Sequence, residues 1–150
     1  MNGSGARLDR PSPALLRLLP EVKPPPARVL LVGAGLGHEA RALDARGYDV
    51  TVVDETAPAP LPGLPVIAAA FADTDFGGRF DLVAEHGAFQ SADRAAYVAA
   101  AAKALRPGGQ LFGAFAVSAG ELLHTFSPAF DVVRCFPSGE GALDVVLRRR

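Results

Sequence analysis

Residues 28–40, RVLLVGAGLGHEA, decide the fold of this chain. An apolar run breaks into three glycines, a helix-forming stretch follows at once, and a second apolar run ends on the lone carboxylate of Asp54. Glycines let a backbone approach a ligand closely, and a helix N-terminus offers unpaired N–H groups to an anionic group. A carboxylate at the tip of the second strand can accept hydrogen bonds from both hydroxyls of a ribose. The pattern therefore predicts a nucleotide-shaped cofactor site on a strand–helix–strand unit.

Composition favours one packed domain and excludes several classes of protein. The chain has 150 residues, 49% of them hydrophobic, and a net charge of −1, so no overall field would attract nucleic acid or an anionic membrane. No apolar run approaches the roughly 20 residues that span a bilayer. Cys135 is the only cysteine, so no internal disulfide can form, and a cytoplasmic location is expected. Residues 1–5 are expected to form a flexible leader.

Strands alternate with helices along most of the chain, which predicts an α/β doubly wound, Rossmann-like sandwich. A leader, a short helix and a Pro-rich connector are expected over residues 1–27, and the domain proper over residues 28–150. The sheet is expected to be mostly parallel, with a C-terminal antiparallel hairpin. Helices are predicted at residues 13–19, 38–46, 93–105 and 120–126, strands at 28–32, 49–53, 66–72, 80–84, 110–117, 130–136 and 142–147, and turns at 106–109 and 137–141.

Two crossover helices are expected to be missing from this sandwich. Residues 56–65 contain four prolines, and residues 74–79 are too short and Gly-rich for a helix. The third strand, residues 66–72, is nevertheless apolar on both faces, and such a strand normally lies under cover on both sides. The N-terminal segment, the Pro-rich loop or another subunit must then shield it, and a homodimer or a partner chain at the edge formed by this strand is predicted.

The spacing of the glycines discriminates between cofactors. The nicotinamide fingerprint requires Gly-x-Gly-x-x-Gly or Ala, whereas His38 fills the last place here and the chain reads Gly-x-Gly-x-Gly. An acid ends the second strand (Asp54), another ends the third (Asp73), and Leu-Arg-Pro-Gly-Gly at residues 105–109 precedes the fifth. Together these features resemble the class I S-adenosylmethionine-dependent methyltransferases over residues 28–150.

This resemblance implies S-adenosylmethionine as the cofactor and assigns roles to individual residues. The glycine turn would line the methionine end, the acids after the second strand would hold the ribose, and the end of the third strand would meet the adenine. The loop after the fourth strand would pass the sulfonium and the acceptor. The cofactor-binding residues implied are Gly33, Ala34, Gly35, Gly37, Asp54, Glu55, Ala72, Asp73 and Glu85.

A narrower likeness is to the thiopurine, thiol and halide methyltransferase family. Its basis is Gly-His-Glu-Ala at residues 37–40, Arg-Gly-Tyr-Asp-Val at 46–50, and the segment from Phe80 to Tyr97. The likeness implies that Arg94 lies on the substrate side. The chain departs from that family in having no Trp and almost no insertion after the fifth strand. Leu31 also stands where many methyltransferases carry an acid for the methionine amino group, so backbone carbonyls or another carboxylate must serve instead.

The candidate catalytic residues are Glu85, His86 and Arg94. Two of them have a structural alternative, since Arg94 also suits a solvated first turn of a helix and His86 also suits a polar position in a loop. The cofactor-binding candidate Asp73 also suits a turn cap. Few side chains here would accept a proton, which favours a small, soft acceptor such as a thiol, selenol or halide. No metal is expected, because no ligands show metal spacing. The alternatives are a non-catalytic methyltransferase-like binding or regulatory subunit and an NAD(P)-dependent oxidoreductase.

Overall fold

The structure, a computed structural model, describes residues 13–35, 37–56, 61–91, 93–139 and 141–150. The predicted leader, Leu36 of the glycine motif, and residues 57–60 of the Pro-rich stretch lie outside these ranges. In none of them is a helix long and apolar enough to cross a membrane. In chain order the elements are α1 (Pro13–Leu18), β1 (Arg28–Val32), α2 (His38–Ala45), β2 (Asp49–Val53), β3 (Val66–Ile67), β4 (Phe80–Glu85), α3 (Arg94–Ala104), β5 (Leu105–Phe115), α4 (Ala119–Phe126), β6 (Phe130–Pro137) and β7 (Leu143–Arg149), with 3₁₀ turns at Leu19–Glu21, Phe71–Asp73 and Phe89–Ser91.

The strands form one sheet in the order β3-β2-β1-β4-β5-β7-β6. The first five of these pair in parallel, and β7 runs antiparallel to both of its neighbours. The predicted fold class, a mostly parallel sheet with a C-terminal antiparallel hairpin, is confirmed. Because β1, β2 and β4 are parallel neighbours, their carboxyl ends meet at one edge of the sheet, where such folds form a crevice.

Helices cover both faces of the sheet. Because successive strand residues point to opposite sides, neighbouring residues of one strand pack against different helices. On one face Leu30 of β1 packs in the cluster that contains Tyr97 of α3 and Phe126 of α4. On the other face Leu31 packs in the cluster that contains Leu18 of α1, as well as Leu43 of α2. The helix predicted from the N-terminal pattern therefore contributes to the core of the sheet.

The predicted third strand is wrong in length. Only Val66–Ile67 pairs with β2, and the chain then enters the 3₁₀ turn Phe71–Asp73. Phe71 turns inward instead of continuing the strand, and its ring meets that of Tyr97 edge to face, with 5.2 Å between centroids. Among the described residues between β2 and β4 there is no α-helix, in line with the predicted trimming. The predicted dimer edge offers only two half-buried strand residues, and the dimer stays a prediction.

Residues 106–109, predicted as a turn before the fifth strand, lie within β5. Phe80 pairs with Leu105, and the next pair is Leu82 with Gln110, so the segment bulges out of the ladder between them. Asp81 opposite the bulge accepts the backbone N–H of Arg28 and makes an ion pair with Arg106. The ion pair with Arg106 holds the bulged segment against β4, which the local Pro-Gly-Gly pattern does not reveal.

Candidate functional site

The glycine turn lies in direct contact with the loop that follows β4. Gly33 has φ of +98°, a left-handed conformation that favours glycine. Its N–H donates to the carbonyl of Val53, while the N–H of His86 donates to the carbonyl of Val32, both at 2.9 Å. A Cβ atom at Gly33 would overlap the backbone carbonyl oxygen of His86. The absence of a side chain therefore lets the two loops meet at the edge of the sheet.

Asp54 joins the end of β2 to the glycine turn. Its Oδ2 accepts the N–H of Ala34 at 2.8 Å, and its Oδ1 accepts the N–H and hydroxyl of Thr56 at 2.9 and 2.5 Å. Burial alone would raise the pKa of the Asp54 carboxyl, but the hydrogen bonds from Thr56 and Ala34 and the nearby His86 lower it overall. The site thus has an ionised carboxylate beside the turn.

These elements enclose a cavity of about 480 Å³ at the carboxyl edge of the sheet. This volume lies within the usual range of small-molecule sites, roughly 300–1,000 Å³. The predicted site residues that line it are Gly33, Gly35, Asp54, Glu55, Ala72, Asp73 and His86. Tyr97, a possible proton acceptor, lines it as well. Further lining residues, which the sequence did not single out for this role, include Thr56, Phe71, Asp93 and Ala96.

Two predicted cofactor residues act from behind the cavity wall. Ala34 is buried and contributes its backbone N–H to Asp54. Gly37 caps the N-terminus of α2 with φ of +92°, and a Cβ there would meet the side chains of Leu61 and Arg41. Both residues shape the turn, and neither is among the residues that line the cavity.

Glu85, predicted to contact the cofactor and the acceptor, turns inward. It is 6% exposed at the end of β4 and does not line the cavity. Its Oε1 accepts the hydroxyl of Tyr97 at 2.5 Å, and its Oε2 accepts the N–H groups of Ala88 and Phe89 at 2.8 and 2.9 Å. Burial raises the pKa of this carboxyl despite these bonds, and burial and Glu85 raise that of Tyr97. Glu85 therefore fixes the loop that carries His86.

His86 lines the cavity and contacts an acid that the sequence analysis missed. Its Nε2 lies 3.5 Å from Oε2 of Glu39, a buried residue in the first turn of α2. In sequence Glu39 reads as an ordinary first-turn acid that favours a helix N-terminus. Its position on the buried side of α2, next to Ala40 and Leu43, was the available signal.

Arg94 lies outside the cavity. Its guanidinium is 3.1 Å from Oε2 of Glu121 and 5.4 Å from the ring centroid of Phe89. Both members of the ion pair are about half exposed. The geometry gives the predicted substrate contact no support.

We expect Arg94→Ala to leave the affinity for a bound cofactor unchanged, within about twofold. Because the ion pair with Glu121 is exposed and screened by solvent, the free energy of unfolding should change little. Urea unfolding and calorimetric titration would measure the two quantities. A marked loss of affinity would show that Arg94 contributes to cofactor binding after all.

The cavity wall is acidic. Carboxyl groups come from four of its lining residues, whereas His86 is the only basic residue among those described there. No group of three or more His, Cys, Asp or Glu side chains within the described ranges could hold a metal ion. The wall therefore suits a ligand with positive charge better than one with several negative charges. The four acids are Asp54, Glu55, Asp73 and Asp93.

The comparisons with known proteins described below all identify similarity to methyltransferases. A family model described as a methyltransferase domain matches residues 30–113. The chain is similar to a TehB-like S-adenosylmethionine-dependent methyltransferase from Corynebacterium glutamicum (20% identity, TM-score 0.76, 91% of this chain and 88% of that one). It is similar to 1,6-didemethyltoxoflavin-N1-methyltransferase from Burkholderia thailandensis, solved with 1,6-didemethyltoxoflavin and S-adenosylhomocysteine (21% identity, TM-score 0.72, 91% of this chain and 76% of that one). It is also similar to the N-methyltransferase NodS from Bradyrhizobium japonicum, solved with S-adenosylhomocysteine (19% identity, TM-score 0.73, 99% of this chain and 93% of that one). No curated protein sequence gave a match.

Proposed function

The chain belongs to the methyltransferase-domain family, whose model matches more than half of it, and on that premise we propose that it transfers a methyl group from S-adenosylmethionine to a small acceptor. One observation carries the proposal: the ionised Asp54 carboxylate faces the cavity while it holds the glycine turn. A carboxylate in this place can accept hydrogen bonds from the ribose hydroxyls of an adenosyl cofactor.

The charge of the cavity wall fits a sulfonium cofactor better than a dinucleotide. A sulfonium is a cation, and the wall carries four carboxyl groups. A nicotinamide dinucleotide would bring a pyrophosphate with two negative charges, for which no Arg or Lys is present among the described lining residues. His38 in place of the last fingerprint glycine disfavours the dinucleotide as well.

The protein's own contribution to the reaction is to bind and orient. When bound, S-adenosylmethionine supplies an already activated methyl group for in-line displacement. Asp54 and Thr56 line the cavity and would hold the ribose, and His86 and Gly87, which line it as well, would lie at the reacting end. Holding the two reactants in line at near-contact distance supplies most of the rate acceleration for such a step.

The acceptor is proposed to be a small, soft nucleophile. Glu85 does not line the cavity and the hydroxyl of Tyr97 donates to it, so His86 is the candidate base that remains among the described residues of the cavity wall. A thiol or selenol, which ionises readily, needs little help from a base. The narrower likeness to the thiopurine, thiol and halide enzymes forms part of this proposal.

Location and assembly remain predictions. Cys135 is free and exposed, which suits the reducing conditions of the cytoplasm. The net charge of −1 gives no attraction to nucleic acid.

Calorimetric titration with S-adenosylmethionine, S-adenosylhomocysteine and NADH tests the proposal. We expect the first two to bind and NADH not to bind. A panel of small thiols, selenols and halides, assayed for methylated product, then tests turnover. Binding without any turnover would favour the non-catalytic alternative, and NADH binding would favour an oxidoreductase.

Asp54→Asn should weaken binding of S-adenosylhomocysteine by about 10- to 100-fold, since hydrogen bonds to a charged acceptor contribute roughly 1.5–3 kcal/mol. The change removes the negative charge and disturbs the bonds to Ala34 and Thr56. Asp49→Asn, at the opposite end of β2 and exposed, is the matched control. Calorimetry on the three proteins gives the result. Equal affinity in all of them would remove Asp54 from the site.

A further inference from the structure

Exposed apolar side chains gather on β6, the strand at one end of the sheet. Among the described residues three large hydrophobic side chains are exposed, and two of them, Val132 (36%) and Val133 (47%), belong to β6. In the part of the chain that the structure describes, β6 pairs with β7 alone. The other side of its backbone is therefore open to a further strand.

Most of the features that keep a second strand away from such an edge are missing. Edge strands are usually protected by Lys, by Pro or by charges that repel a second copy. No Lys or Pro occurs from Phe130 to Phe136. The two charged residues of this stretch, Asp131 and Arg134, have opposite signs. Charges of one sign would repel a second copy of β6, whereas opposite charges attract it in a register that brings them together.

A bulge places these two charges on the same face of the sheet. Asp131 is opposite Arg148 of β7. Arg134 is opposite Val146, which lies two residues from Arg148 on the same strand. Residues two apart on a strand point to the same face, and residues opposite each other on neighbouring strands share a face. Val133 is the extra residue, with no opposite residue on β7.

Antiparallel pairing of β6 with a second copy of itself brings the opposite charges together twice. In the register that places Val132 opposite the partner's Val133, Asp131 is opposite the partner's Arg134. A two-fold axis then repeats each contact, as in any symmetric dimer. Both bulges lie at the centre of the pair, so neither strand has an extra residue relative to the other. The four valines meet there and remove apolar surface from water.

The contacts of the two charges within the chain are compatible with this pairing. Nη1 of Arg150 lies 2.8 Å from Oδ1 of Asp131. Oε1 of Glu21 lies 3.3 Å from Nε of Arg134. A carboxylate can accept about four hydrogen bonds and a guanidinium can donate about five. Bonds to a second copy can therefore form in addition to those within the chain.

We propose that two copies of this chain form a dimer through β6, with Asp131 of each copy paired to the partner's Arg134. The two sheets then become one continuous sheet. Eight residues at about 3.3 Å each make this edge about 26 Å long, so the interface is small and the dimer dissociates on dilution. The edge at β3, for which the sequence predicts a dimer, is at the other end of the sheet. No residue of β6 is among the described residues that line the cavity, so neither cofactor nor acceptor takes part.

Sedimentation of the full chain tests this dimer, under reducing conditions that keep the exposed Cys135 from cross-linking two copies. We expect the wild type to pass from monomer to dimer between low micromolar and several hundred micromolar concentration. Arg134→Asp and Asp131→Arg each place like charges opposite one another at two points, so each should raise the dissociation constant by about tenfold or more. The double variant exchanges the two charges and should restore the wild-type constant. Asp44→Arg, an exposed charge reversal on α2, is the matched control and should leave the constant unchanged.

A wild type that stays monomeric at every concentration overturns the proposal, and so does a double variant that dimerises as weakly as the single ones. Ala68→Lys, an exposed position directly after β3, tests the other edge. A dimer that this change disrupts and Arg134→Asp does not would also overturn it. Should the charge variants fail to fold, Val133→Lys decides, because that side chain is 47% exposed and Lys on an edge strand opposes pairing. An unchanged dimer in Val133→Lys would contradict pairing through β6.

Discussion

Gly33→Ala is expected to lower the free energy of unfolding by about 3 kcal/mol or more and to abolish binding of S-adenosylhomocysteine. The added methyl group would overlap the backbone carbonyl oxygen of His86, and Gly33 has φ of +98°. Neither side of the contact can move easily. The N–H of Gly33 is bonded to Val53 and that of His86 to Val32. Relief of the overlap must therefore displace the end of β1 or the loop after β4.

Gly63→Ala is the matched control for this experiment. Gly63 has φ of +80°, but a Cβ there would meet no atom of the described residues within 4 Å. Its substitution carries only the cost of holding an alanine in the left-handed conformation, about 1–2 kcal/mol. Urea unfolding gives the two stabilities, and calorimetry gives the affinities. If Gly33→Ala costs no more than Gly63→Ala and still binds ligand, then the two loops are not in the close contact described here.

The glycine unit was predictable from sequence because its determinants are local. The bounds of β1 and β2 agree with those predicted, since each apolar run is followed at once by glycine or by an acid. The helix caps follow the same rule. Asp93 caps α3 with its side chain, and Ser118 forms a capping box with Glu121 at the start of α4.

Other features depend on partners that are distant in sequence. An apolar run such as residues 66–72 suits a strand or a buried turn equally well, and the contact of Phe71 with Tyr97 decides for the turn. The same holds for the acids of the site. The position of Glu85 at a strand end predicted a ligand contact, but its partners include Tyr97. The contact between Glu39 and His86 forms only when folding brings His86 against α2, so it could not be read from the sequence.

Glu85→Ala should lower the free energy of unfolding by about 3–5 kcal/mol, because it removes the acceptor of three hydrogen bonds, two of which are buried. The donors are the hydroxyl of Tyr97 and the N–H groups of Ala88 and Phe89. Glu85→Gln keeps one acceptor oxygen and the size of the side chain, so its cost should be nearer 1 kcal/mol. Urea unfolding compares the two. Equal costs would mean that the lost volume, and not the hydrogen bonding, matters.

The contribution of Glu85 to the free energy of unfolding should depend on pH, and the direction of its shifted pKa gives the sign. Burial raises the pKa of Glu85 above its usual value of 4.5, so the folded protein holds the proton more firmly than the unfolded chain. The stability that Glu85 contributes is therefore fully present below pH 4.5 and declines as the pH rises through the raised pKa. The advantage of wild type over Glu85→Gln in unfolding free energy should shrink over that window.

The pKa of Asp54 is lowered, so the advantage of wild type over Asp54→Asn in unfolding free energy should instead shrink as the pH falls below 3.8. Opposite slopes for two acids at one edge of the sheet follow from their surroundings, since Asp54 faces the cavity and Glu85 is buried behind its wall.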